Sequence, residues 1–555
     1  MVLPQTKTMT AAQAIVESMK RENVEYAFCV PGESYLDVLD ALHDEKSIKV
    51  ISNRHEGGAA FMAEGYAKST LKPGVVLATR GVGATNLSIG VHTAYQDSTP
   101  MVVLLGQVHS KFRGREGFQE VDLDVHFKTI AKWATEIRDP ERVPEIMHRA
   151  FRIATSGRPG PVVISLPEDV LPIEANMHFG PTINRPTPAP AKENVVELEN
   201  ILAKAKKPLI IAGGGVKSAQ AEELLLEFSE AHEIPVMAAF RRHDVFPHDH
   251  RLYAGHLGLG PHAAELTTVA EADVILAFGT RLCEVTTQSY TAITPDKILV
   301  HVDIDFDSIG KVYAPHLGIV ADMKEALLAF QQIKTNPTWK AWASERRDAY
   351  KEDSSLDITE KDPINKEIIA LLSEKLPEGS LLTVDAGNFA GWVHSFYPFK
   401  QKHTFVGPTC GAMGYGMPAA LGAKLAHPDK QVIALGGDGG VMMTVQELET
   451  AAREEIPIIN VIFNNYMYGT IRMHQEMHFP EKVIATDLGD VSFAKLAKSL
   501  GAEGHTVKTA EQFAHILDEV LNSDRKKPVV IEVITTKEQI SVSSTITELR
   551  EKAIK

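Results

Sequence analysis

A glycine turn between two apolar runs constrains the fold of this chain more than any other feature of its sequence. The turn is the run GDGG at 437–440, which follows the apolar run Val432–Leu435. The 24 residues from Gly440 to Phe463 separate GDG from Asn464-Asn465. Apolar runs joined by a glycine turn and a helix-length segment are typical of parallel strands with a helical crossover. The sequence therefore predicts a strand, a glycine turn, a helix near Thr444–Arg453 and a second strand.

The glycine turn has the composition of a phosphate and metal site. Glycines let the backbone approach a ligand closely, and a helix N-terminus offers free N–H groups and a positive dipole end to a diphosphate. Asp438 adds a carboxylate oxygen and Asn465 a carbonyl oxygen, and both are ligands that suit Mg²⁺. A turn in which Asp438 only caps a helix is the simpler interpretation of GDG by itself. The fixed distance to Asn465 makes the ligand-binding interpretation more specific.

The length and charge of the chain limit the kinds of protein it can be. A chain of 555 residues is too long for one hydrophobic core and predicts three or four domains. Its hydrophobic content of 44% and charged content of 23% are those of a soluble globular protein. A formal net charge of −15 argues against nucleic acid or an anionic membrane surface as a partner. An anionic small-molecule substrate stays open, because a few basic groups can dominate one pocket.

The cysteines and the N-terminal segment bear on the cellular compartment. Cys29, Cys283 and Cys410 are far apart and lack CxxC spacing, so we expect neither a disulfide framework nor a zinc site. Residues 1–20 lack the apolar core and cleavage site of a secretion signal. No segment approaches the ~20 continuous apolar residues that span a bilayer. The sequence therefore predicts a cytoplasmic protein.

Short strands rich in valine and isoleucine alternate with amphipathic helices along the chain, which is typical of α/β folds with doubly wound parallel sheets. We predict three such domains, at residues 1–180, 194–340 and 364–555, and the first and third are candidates for a common fold. The proline-rich stretch Phe179–Glu193 is interpreted as a linker, and a charged helix near Trp339–Asp353 leads into the third domain. The predicted strands are Tyr26–Val30, Val75–Ala78, Met101–Leu105 and Val162–Leu166 in the first domain, Pro208–Ala212, Pro235–Ala238, Val274–Phe278 and Leu299–Ile304 in the second, and Leu381–Val384, Gln431–Leu435, Ile458–Phe463 and Val529–Val533 in the third.

Glu56 is the candidate catalytic carboxylate of the first domain. It lies in NRHEGGAAFMAEGYAK, residues 53–68, at the junction of a strand and a helix rich in small residues. By itself, a glutamate in the first turn of a helix is explained by its favourable interaction with the helix dipole. A catalytic role for Glu56 therefore needs support from the rest of the sequence.

Four segments, in the same order along the chain, resemble the acetolactate synthases and their thiamine diphosphate-dependent relatives. They are RHEGGAAFMAEGYA around Glu56, Thr79–Val108, Gly157–Val170 and Gly407–Ala426, and GDGG with its two asparagines is similar to the thiamine diphosphate signature. The resemblance covers nearly the whole chain. It implies the thiamine diphosphate-binding fold, with a pyrimidine-binding first domain, a central Rossmann-like domain and a third domain that binds the diphosphate and Mg²⁺.

The resemblance assigns roles to residues that would hold and activate the cofactor. In the family a glutamate hydrogen-bonds to the aminopyrimidine ring and promotes its imino form, and Glu56 matches that position. Met413 matches the large apolar residue that supports the bent cofactor, and the carbonyl of Gly411 would accept from the 4′-amino group. Plain core packing is the alternative for Met413, and only the flanking GAMGYGMPAA argues against it.

The resemblance also implies a Mg²⁺ site in the third domain. The side chains of Asp438 and Asn465 would bind the metal together with the backbone carbonyl of Met467. The glycines of the turn would hold the diphosphate, two of them through their N–H groups; these glycines are Gly437, Gly439 and Gly440.

The implied activity is decarboxylation of a 2-oxo acid, with pyruvate favoured, followed by carboligation to a second 2-oxo acid. Two other activities stay open: a non-oxidative decarboxylase or lyase similar to benzoylformate decarboxylase, and a related oxidase. The segment 466–475 departs from the biosynthetic synthases, with His474 at the place of a tryptophan that selects the acceptor, and this difference motivates the decarboxylase alternative. A catalytically silent regulatory member is the non-enzyme alternative, against which the presence of Glu56, Asp438 and Asn465 argues.

The substrate contacts are less specific in the sequence. Gln119, in FQE at 118–120, matches a segment near the acetolactate synthase active site, and a surface loop explains it equally well. His92 lies in a segment that carries active-site groups in the family, and a structural histidine is an equal alternative. Arg472 and His474 lie where a substrate carboxylate would bind, with solvated helix positions as the alternative.

The central domain leaves the presence of FAD open. Its turn IIAGGGVKSA at 210–219 lacks the last glycine of a dinucleotide fingerprint, because Ser218 takes that place. Biosynthetic acetolactate synthases and related oxidases bind FAD in this domain, whereas catabolic synthases do not. The runs Gly279-Thr280-Arg281 and Asp303-Ile304-Asp305 fall where flavin contacts occur, yet they also fit a purely structural domain.

The resemblance further implies an oligomer. In the family, the activating glutamate and the diphosphate-binding turn at one cofactor come from different chains. A homodimer or homotetramer with active sites at the dimer interface is therefore expected. The other expected partner is a small-molecule 2-oxo acid.

Overall fold

The computed structural model describes residues 5–182 and 185–554. Residues 1–4 of the N-terminal segment, and Ile183 and Asn184 of the predicted linker, lie outside the described residues. Of the helices in these two stretches, none is both long and apolar enough to cross a membrane.

The first unit is a parallel sheet flanked by helices, with a separate antiparallel ribbon. The sheet has the order β3-β2-β4-β5-β7-β6, and β1 pairs with β8. The strands are β1 (Gln5–Thr10), β2 (Tyr26–Cys29), β3 (Lys49–Ser52), β4 (Gly74–Ala78), β5 (Met101–Gln107), β6 (Trp133–Glu136), β7 (Pro161–Pro167) and β8 (Glu174–Phe179). The helices are α1 (Ala11–Arg21), α2 (Leu36–Asp44), α3 (Glu56–Thr70), α4 (Gly81–Asp97), α5 (Leu123–Phe127) and α6 (Val143–Thr155).

The central unit is a second parallel sheet, with the order β11-β10-β9-β12-β13-β14. Its core includes Trp339, Trp342 and Tyr350, so the charged helix before the third unit packs on the central one. The strands are β9 (Pro208–Ala212), β10 (Val236–Ala238), β11 (Tyr253–His256), β12 (Val274–Phe278), β13 (Ile298–Asp303) and β14 (Leu317–Val320). The helices are α7 (Lys192–Leu202), α8 (Gly214–Ser218), α9 (Glu222–His232), α10 (Ala263–Glu271), α11 (Met323–Phe330) and α12 (Lys340–Asp353).

The third unit is a parallel sheet with the order β16-β15-β17-β18-β20-β19. Its strands are β15 (Leu381–Val384), β16 (Phe405–Val406), β17 (Val432–Gly437), β18 (Ile459–Asn464), β19 (Glu503–Val507) and β20 (Val529–Ile534). Its helices are α13 (Ile364–Lys375), α14 (Phe389–Phe396), α15 (Gly416–Ala426), α16 (Asp438–Val441), α17 (Glu447–Arg453), α18 (Gly469–His478), α19 (Phe493–Ser499), α20 (Ala510–Leu521) and α21 (Ile546–Ile554).

The first and third units share a strand order that the central unit lacks. When the sheet strands of each unit are numbered in chain order, the first and third sheets both run 2-1-3-4-6-5, and the central sheet runs 3-2-1-4-5-6. In sheets wound this way, ligands bind at the carboxyl ends of the strands, where the order reverses. In the third sheet that place lies between β15 and β17, which end at Val384 and Gly437.

The predicted fold class is confirmed. Over the described part of the chain, each of the three parallel sheets has six strands, and the predicted strands match observed ones to within two residues. The common strand order supports a common fold for the first and third units. We keep 1–180, 194–340 and 364–555 as our proposal for the domain boundaries.

The helix after the glycine turn differs from the prediction. Instead of one helix near Thr444–Arg453, the chain forms the short α16 directly after Gly437 and then a separate α17. In the turn between them, the hydroxyl of Thr444 donates to the carbonyl of Gly414 at 2.7 Å. This contact holds Thr444 against a loop distant in the sequence, and residues 442–446 form turns, so the regular helix begins at Glu447 and not at Thr444.

Helix α3 packs the first unit directly against the third. It is almost entirely buried, and it crosses α15 at positions that lack side chains. A Cβ on Gly422 would lie 2.0 Å from the carbonyl oxygen of Met62, and one on Gly65 would lie 2.4 Å from that of Ala419. The two backbones therefore touch, and apolar side chains from both units form one continuous core around them.

We expect Gly422→Ala to destabilise the protein. In an ordinary helix this change stabilises by about 1 kcal/mol. Here the methyl group meets backbone, so the helices must shift, at a cost of about 1–3 kcal/mol. Urea unfolding measures the difference. Gly180→Ala is the control, since its Cβ meets nothing within 4 Å. A Gly422→Ala midpoint at or above that of the parent would contradict the proposed crossing.

Four histidines are buried where the central and third units meet. The ring of His243 lies 4.6 Å from that of His256 and 4.5 Å from that of His394, between ring centroids. Burial lowers the pKa of His243 and His394 well below the usual value, and that of His248 to about 3. The rings of these three residues therefore pack as neutral aromatic groups.

The buried histidines predict a loss of stability in acid. Below the unfolded-state pKa of about 6.5, the unfolded chain takes up protons that the folded chain excludes, so stability falls by about 1.4 kcal/mol per pH unit for each such histidine. We expect His248→Gln to reduce the slope of unfolding free energy against pH between 4 and 6 by about that amount. The measurement is urea unfolding at a series of pH values. His515→Gln, at an exposed position, is the control, and an equal slope in both variants would refute the prediction.

Candidate active site

The run GDGG lies at the carboxyl end of β17, where the order of the third sheet reverses. Asp438 begins α16 and is 6% exposed, and its Oδ1 accepts from the N–H of Gly439 at 3.0 Å. Its Oδ2 is buried and has no hydrogen-bond partner among the described residues. Burial raises the pKa of Asp438 to about 6. A buried carboxylate oxygen without a donor is suited to a cation.

A cavity of about 200 Å³ opens beside the glycine turn. Asp438, Gly439 and Asn464 line its polar side, and Leu488 and Phe493 line its apolar side. The cavity thus adjoins two residues of the turn, Asp438 and Gly439.

The structure separates the roles of the two asparagines. Asn464 is structural: its Nδ2 donates to Glu532 at 2.8 Å, and its Oδ1 accepts from the N–H of Tyr466 at 3.1 Å. Asn465 is half-buried and lies beside Gly469. The backbone of Met467 forms an isolated bridge with Asp487. Both polar atoms of the Asn464 side chain are therefore engaged within the chain, so Asn465 stays the candidate metal ligand of the pair.

Asp385 ties the glycine turn to the loop 411–414. It is buried after β15, and its Oδ2 accepts from the N–H of Gly414 at 3.0 Å. A Cβ on Gly440 would lie 2.7 Å from the same oxygen. Gly414 has a φ of +81°, which favours glycine, and its Cβ position is 3.3 Å from the Gly440 carbonyl oxygen. Burial raises the pKa of Asp385 to about 6. This carboxylate thus joins the two segments at one edge of the sheet.

The loop carries the residues predicted to support the cofactor ring. Gly411 is exposed with a φ of +69°, and Met413 is half-buried. Because the next residue, Gly414, touches Gly440, the structure brings Gly411 and Met413 close to the glycine turn, as the proposed site requires.

Glu56 begins α3 in the first unit and is 9% exposed. Its Oε2 accepts from Nδ2 of Asn86 at 3.0 Å. Its Oε1 lies 3.0 Å from the Cβ position of Gly83, so only a glycine leaves space beside this oxygen. Asn86 and Gly83 both lie on α4. One carboxylate oxygen is thus fixed, and the other faces the space left by a glycine.

The described contacts of the Glu56 carboxylate lie in the first unit, and those of the Asp438 carboxylate lie in the third. The single chain therefore contains two half-sites. The oligomeric arrangement decides whether two half-sites of one chain, or half-sites of two chains, meet on one cofactor.

Gln119 and His92 occupy different positions relative to Glu56. The carbonyl of Gln119 accepts from the N–H of Gly81 at 3.0 Å, which places this half-buried residue at the start of α4, near Gly83. His92 is exposed. It follows Asn86 by six residues on α4 and so projects from a different side of that helix. The structure brings Gln119 towards the first half-site, and does not do so for His92.

Arg472 and His474, the candidate substrate contacts of the third unit, lie on α18. Arg472 donates to Glu476 at 3.2 Å, and Glu476 also accepts from Arg550 at 2.7 Å. His474 is exposed. The charge of Arg472 is thus engaged within the chain, which fits the structural alternative.

The glycines of the central turn are explained by contacts within the chain. A Cβ on Gly213 would lie 2.4 Å from the carbonyl oxygen of Gly279, and one on Gly215 would lie 2.6 Å from its Cα. A Cβ on Gly214 would lie 2.8 Å from Nε of Arg242. Arg281 donates to the carbonyl of Gln96. These packed contacts account for the turn without a nucleotide, so it gives no support for FAD.

The two half-sites fit thiamine diphosphate and Mg²⁺. The unpartnered Oδ2 of Asp438 and the accessible side chain of Asn465 supply hard oxygen ligands of the kind Mg²⁺ binds.

Sequence analysis did not single out Asn86 or Asp385. Each acts through a contact that is distant in the sequence. Asn86 contacts Glu56, 30 residues away, and Asp385 contacts Gly414, 29 residues away. The only sequence signal for Asp385 is its position after a strand next to that of the glycine turn.

Family models of thiamine pyrophosphate enzymes match all three units. The N-terminal TPP binding domain matches residues 9–126, the central domain 195–330 and the C-terminal TPP binding domain 385–533. The probable acetolactate synthase large subunit of Methanocaldococcus jannaschii is 34% identical, over 95% of this chain and 92% of that protein. The chain belongs to the acetolactate synthase family of thiamine pyrophosphate enzymes.

Other relatives agree with this family. The acetolactate synthase isozyme 2 large subunit of Escherichia coli is 34% identical over 93% of this chain and 94% of that protein. The acetolactate synthase large subunit of Haemophilus influenzae is 32% identical over 94% and 93%. The predicted family and enzyme class are confirmed.

Asp438→Ala tests the second half-site. We expect it to weaken Mg²⁺-dependent binding of thiamine diphosphate at least about 100-fold. Removal of a residue that only hydrogen-bonds to a metal ligand weakens binding up to about that much, and Asp438→Ala removes a proposed ligand itself. Isothermal titration calorimetry measures the affinity. Asp487→Ala, at an exposed carboxylate on the adjoining segment, is the control. Equal affinities in the two variants would exclude Asp438 from the site.

Proposed function

We propose that the protein decarboxylates pyruvate with thiamine diphosphate and Mg²⁺ and joins the product to a second 2-oxo acid, as an acetolactate synthase. The observation that carries this proposal is its match to acetolactate synthase large subunits over more than nine-tenths of both chains. The presence of Glu56, Asp438 and Asn465 at the two half-sites supports a catalytic member of the family rather than a silent one.

The third unit would hold the cofactor. Asp438, Asn465 and the carbonyl of Met467 would bind Mg²⁺, and the turn at 437–440 would bind the diphosphate. Thiamine diphosphate supplies, when bound, the electron sink that decarboxylation of a 2-oxo acid needs. The carbonyl of Gly411 and the side chain of Met413, on the adjoining loop, would orient the ring.

Glu56 would hold and move a proton at the ring. Asn86 donates to Oε2 and so leaves Oε1, beside Gly83, to face a ring nitrogen. Burial of Glu56 excludes water from that hydrogen bond, which strengthens it. Gln119, at the start of α4, is the proposed polar contact to the substrate. His92 stays a proposal that its exposed position does not favour.

We further propose that two chains complete each active site, in a homodimer or homotetramer. The confinement of Glu56 contacts to the first unit and of Asp438 contacts to the third supports this assembly. Val82 and Ile89 expose apolar surface on α4, the helix whose Asn86 donates to the Glu56 carboxylate. If light scattering shows a monomer and that monomer is fully active in the assay, the proposal is refuted.

A cytoplasmic location is also proposed. Cys29, Cys283 and Cys410 are free thiols in the structure, which suits a reducing compartment. Cell fractionation with detection of the native protein tests it, and recovery outside the cytoplasm would contradict it.

Product analysis tests the proposed function. Purified protein with thiamine diphosphate, Mg²⁺ and pyruvate is expected to form acetolactate, with little free acetaldehyde. Free aldehyde as the main product, or turnover of benzoylformate in preference to pyruvate, would establish the decarboxylase alternative instead. Parallel reactions with and without FAD show whether a flavin is needed.

Glu56→Gln in the same assay tests the proton-handling role. We expect a fall in kcat of about 10²–10⁴-fold, the usual contribution of a general acid–base group. Glu141→Gln, at an exposed glutamate of the same unit, is the control. Full turnover by Glu56→Gln would show that Glu56 does not activate the cofactor.

A further inference from the structure

A carboxylate of the third unit holds the turn that leads to Glu56. Glu447, the first residue of α17, is fully buried. Its Oε1 accepts from the backbone N–H groups of Arg54 at 3.1 Å and His55 at 3.0 Å. Its Oε2 accepts from Nδ2 of Asn53 at 3.0 Å. Three consecutive residues directly before Glu56 thus donate to one side chain from the other unit.

The same side chain also lies against the residues after Glu56. A Cβ on Gly58 would be 2.5 Å from Oε1 of Glu447 and 2.7 Å from its Cγ. The absence of a side chain at Gly58 therefore lets Glu447 lie directly on the first turn of α3. Its contacts bracket Glu56 on both sides in the sequence.

These hydrogen bonds are stronger constraints than the ion pairs around them. Arg54 and Glu449 are 3.8 Å apart, and Lys49 and Glu454 are 3.1 Å apart, but the cationic side chains are more than half exposed, and such pairs stabilise little. Glu447 is buried, and Thr450 supplies the fourth donor to its carboxylate, at 2.7 Å from Oε2. Burial raises the pKa of Glu447, and the surrounding donors oppose that rise. Loss of any one donor or acceptor here would leave a buried polar group unpaired, which is costly.

We propose that Glu447 is a positioning residue for Glu56. It fixes the backbone of residues 53–55 and thereby the direction in which the Glu56 side chain leaves the first turn of α3. Asn86 fixes the carboxylate itself, so Glu56 is held at both ends. The inference rests on the proposed function only for what Glu56 does, since the contacts with residues 53–55 belong to the chain alone.

Glu447→Gln tests the contact in the protein without cofactor. An amide replaces one acceptor oxygen by an NH₂ group that faces donors, so at least one of the four hydrogen bonds is lost. We expect the rate of hydrogen–deuterium exchange in a peptide covering residues 53–58 to rise at least about tenfold. The free energy of a lost hydrogen bond to a charged group corresponds to a tenfold or larger change in the population of the open state. Glu449→Gln, on the same helix and facing the same turn, is the control and leaves this exchange unchanged.

The loaded enzyme gives the second measurement. Displacement of Glu56 by about 1 Å is expected to lower kcat on the order of 10²-fold. KM for pyruvate is expected to change less than kcat, because Glu447 acts on the direction of the Glu56 side chain and is not among the proposed substrate contacts. Proton exchange at C2 of bound thiamine diphosphate, followed by NMR after acid quench, slows in parallel with kcat. A residue that only stabilised the fold would not slow this exchange in a folded, cofactor-saturated variant.

Thr450→Val is the second variant, for use if Glu447→Gln does not fold. It removes one donor to Glu447 with little change of shape, and a smaller rise in exchange at 53–58 is expected. Unchanged exchange at 53–58, or a fall in kcat without slower C2 proton exchange, would overturn the inference. If exchange at 53–58 rises in Glu447→Gln while the parent protein forms no acetolactate, the proposed function fails and the contact of Glu447 with residues 53–55 stands.

Discussion

The contact of α3 with α15 is the constraint on which the rest of the structure depends. Gly65 and Gly422 remove the side chains that would separate the helices, so backbone meets backbone and the first and third units share one core. Close packing in such a core leaves little freedom for either helix. Because α3 begins at Glu56 and α15 follows the loop of Met413, this crossing sets the relative position of the elements that carry the two half-sites.

Buried carboxylates then fix the segments around that crossing. Asp385 and Glu447 each accept hydrogen bonds from backbone N–H groups, which hold the geometry of a turn more tightly than a flexible ion pair does. Lys68 adds a partly buried cation on α3 that contacts Asp97 at 2.9 Å and the carbonyl of Gly407 at 3.0 Å, at the start of the segment that leads to Met413. The polar groups of the site are thus oriented before any ligand arrives, which is the arrangement catalysis favours.

One strand order serves two different purposes in this chain. The first and third sheets have the same topology, yet the first contributes the carboxylate of Glu56 and the third contributes the glycine turn with Asp438. The difference lies in the loops at the carboxyl ends of the strands, which is where function varies on a common fold. In the central sheet, Gly213 and Gly215 pack on Gly279 at the equivalent reversal, and the turn is accounted for by the chain itself.

The sequence by itself predicted the α/β class, twelve of the eighteen described strands of the three parallel sheets, and the proposed half-sites around Glu56 and GDGG, because these depend on local periodicity, glycine turns and short motifs. Tertiary structure decided the rest. The helix predicted over Thr444–Arg453 begins only at Glu447, after turns in which Thr444 donates to the carbonyl of Gly414. Glu447 accepts a hydrogen bond from Asn53 across 394 residues, and Asn86, not His92, is the residue of α4 that contacts Glu56; neither contact is visible in a linear pattern. Local rules specify which elements form, whereas contacts distant in sequence specify which side chains meet.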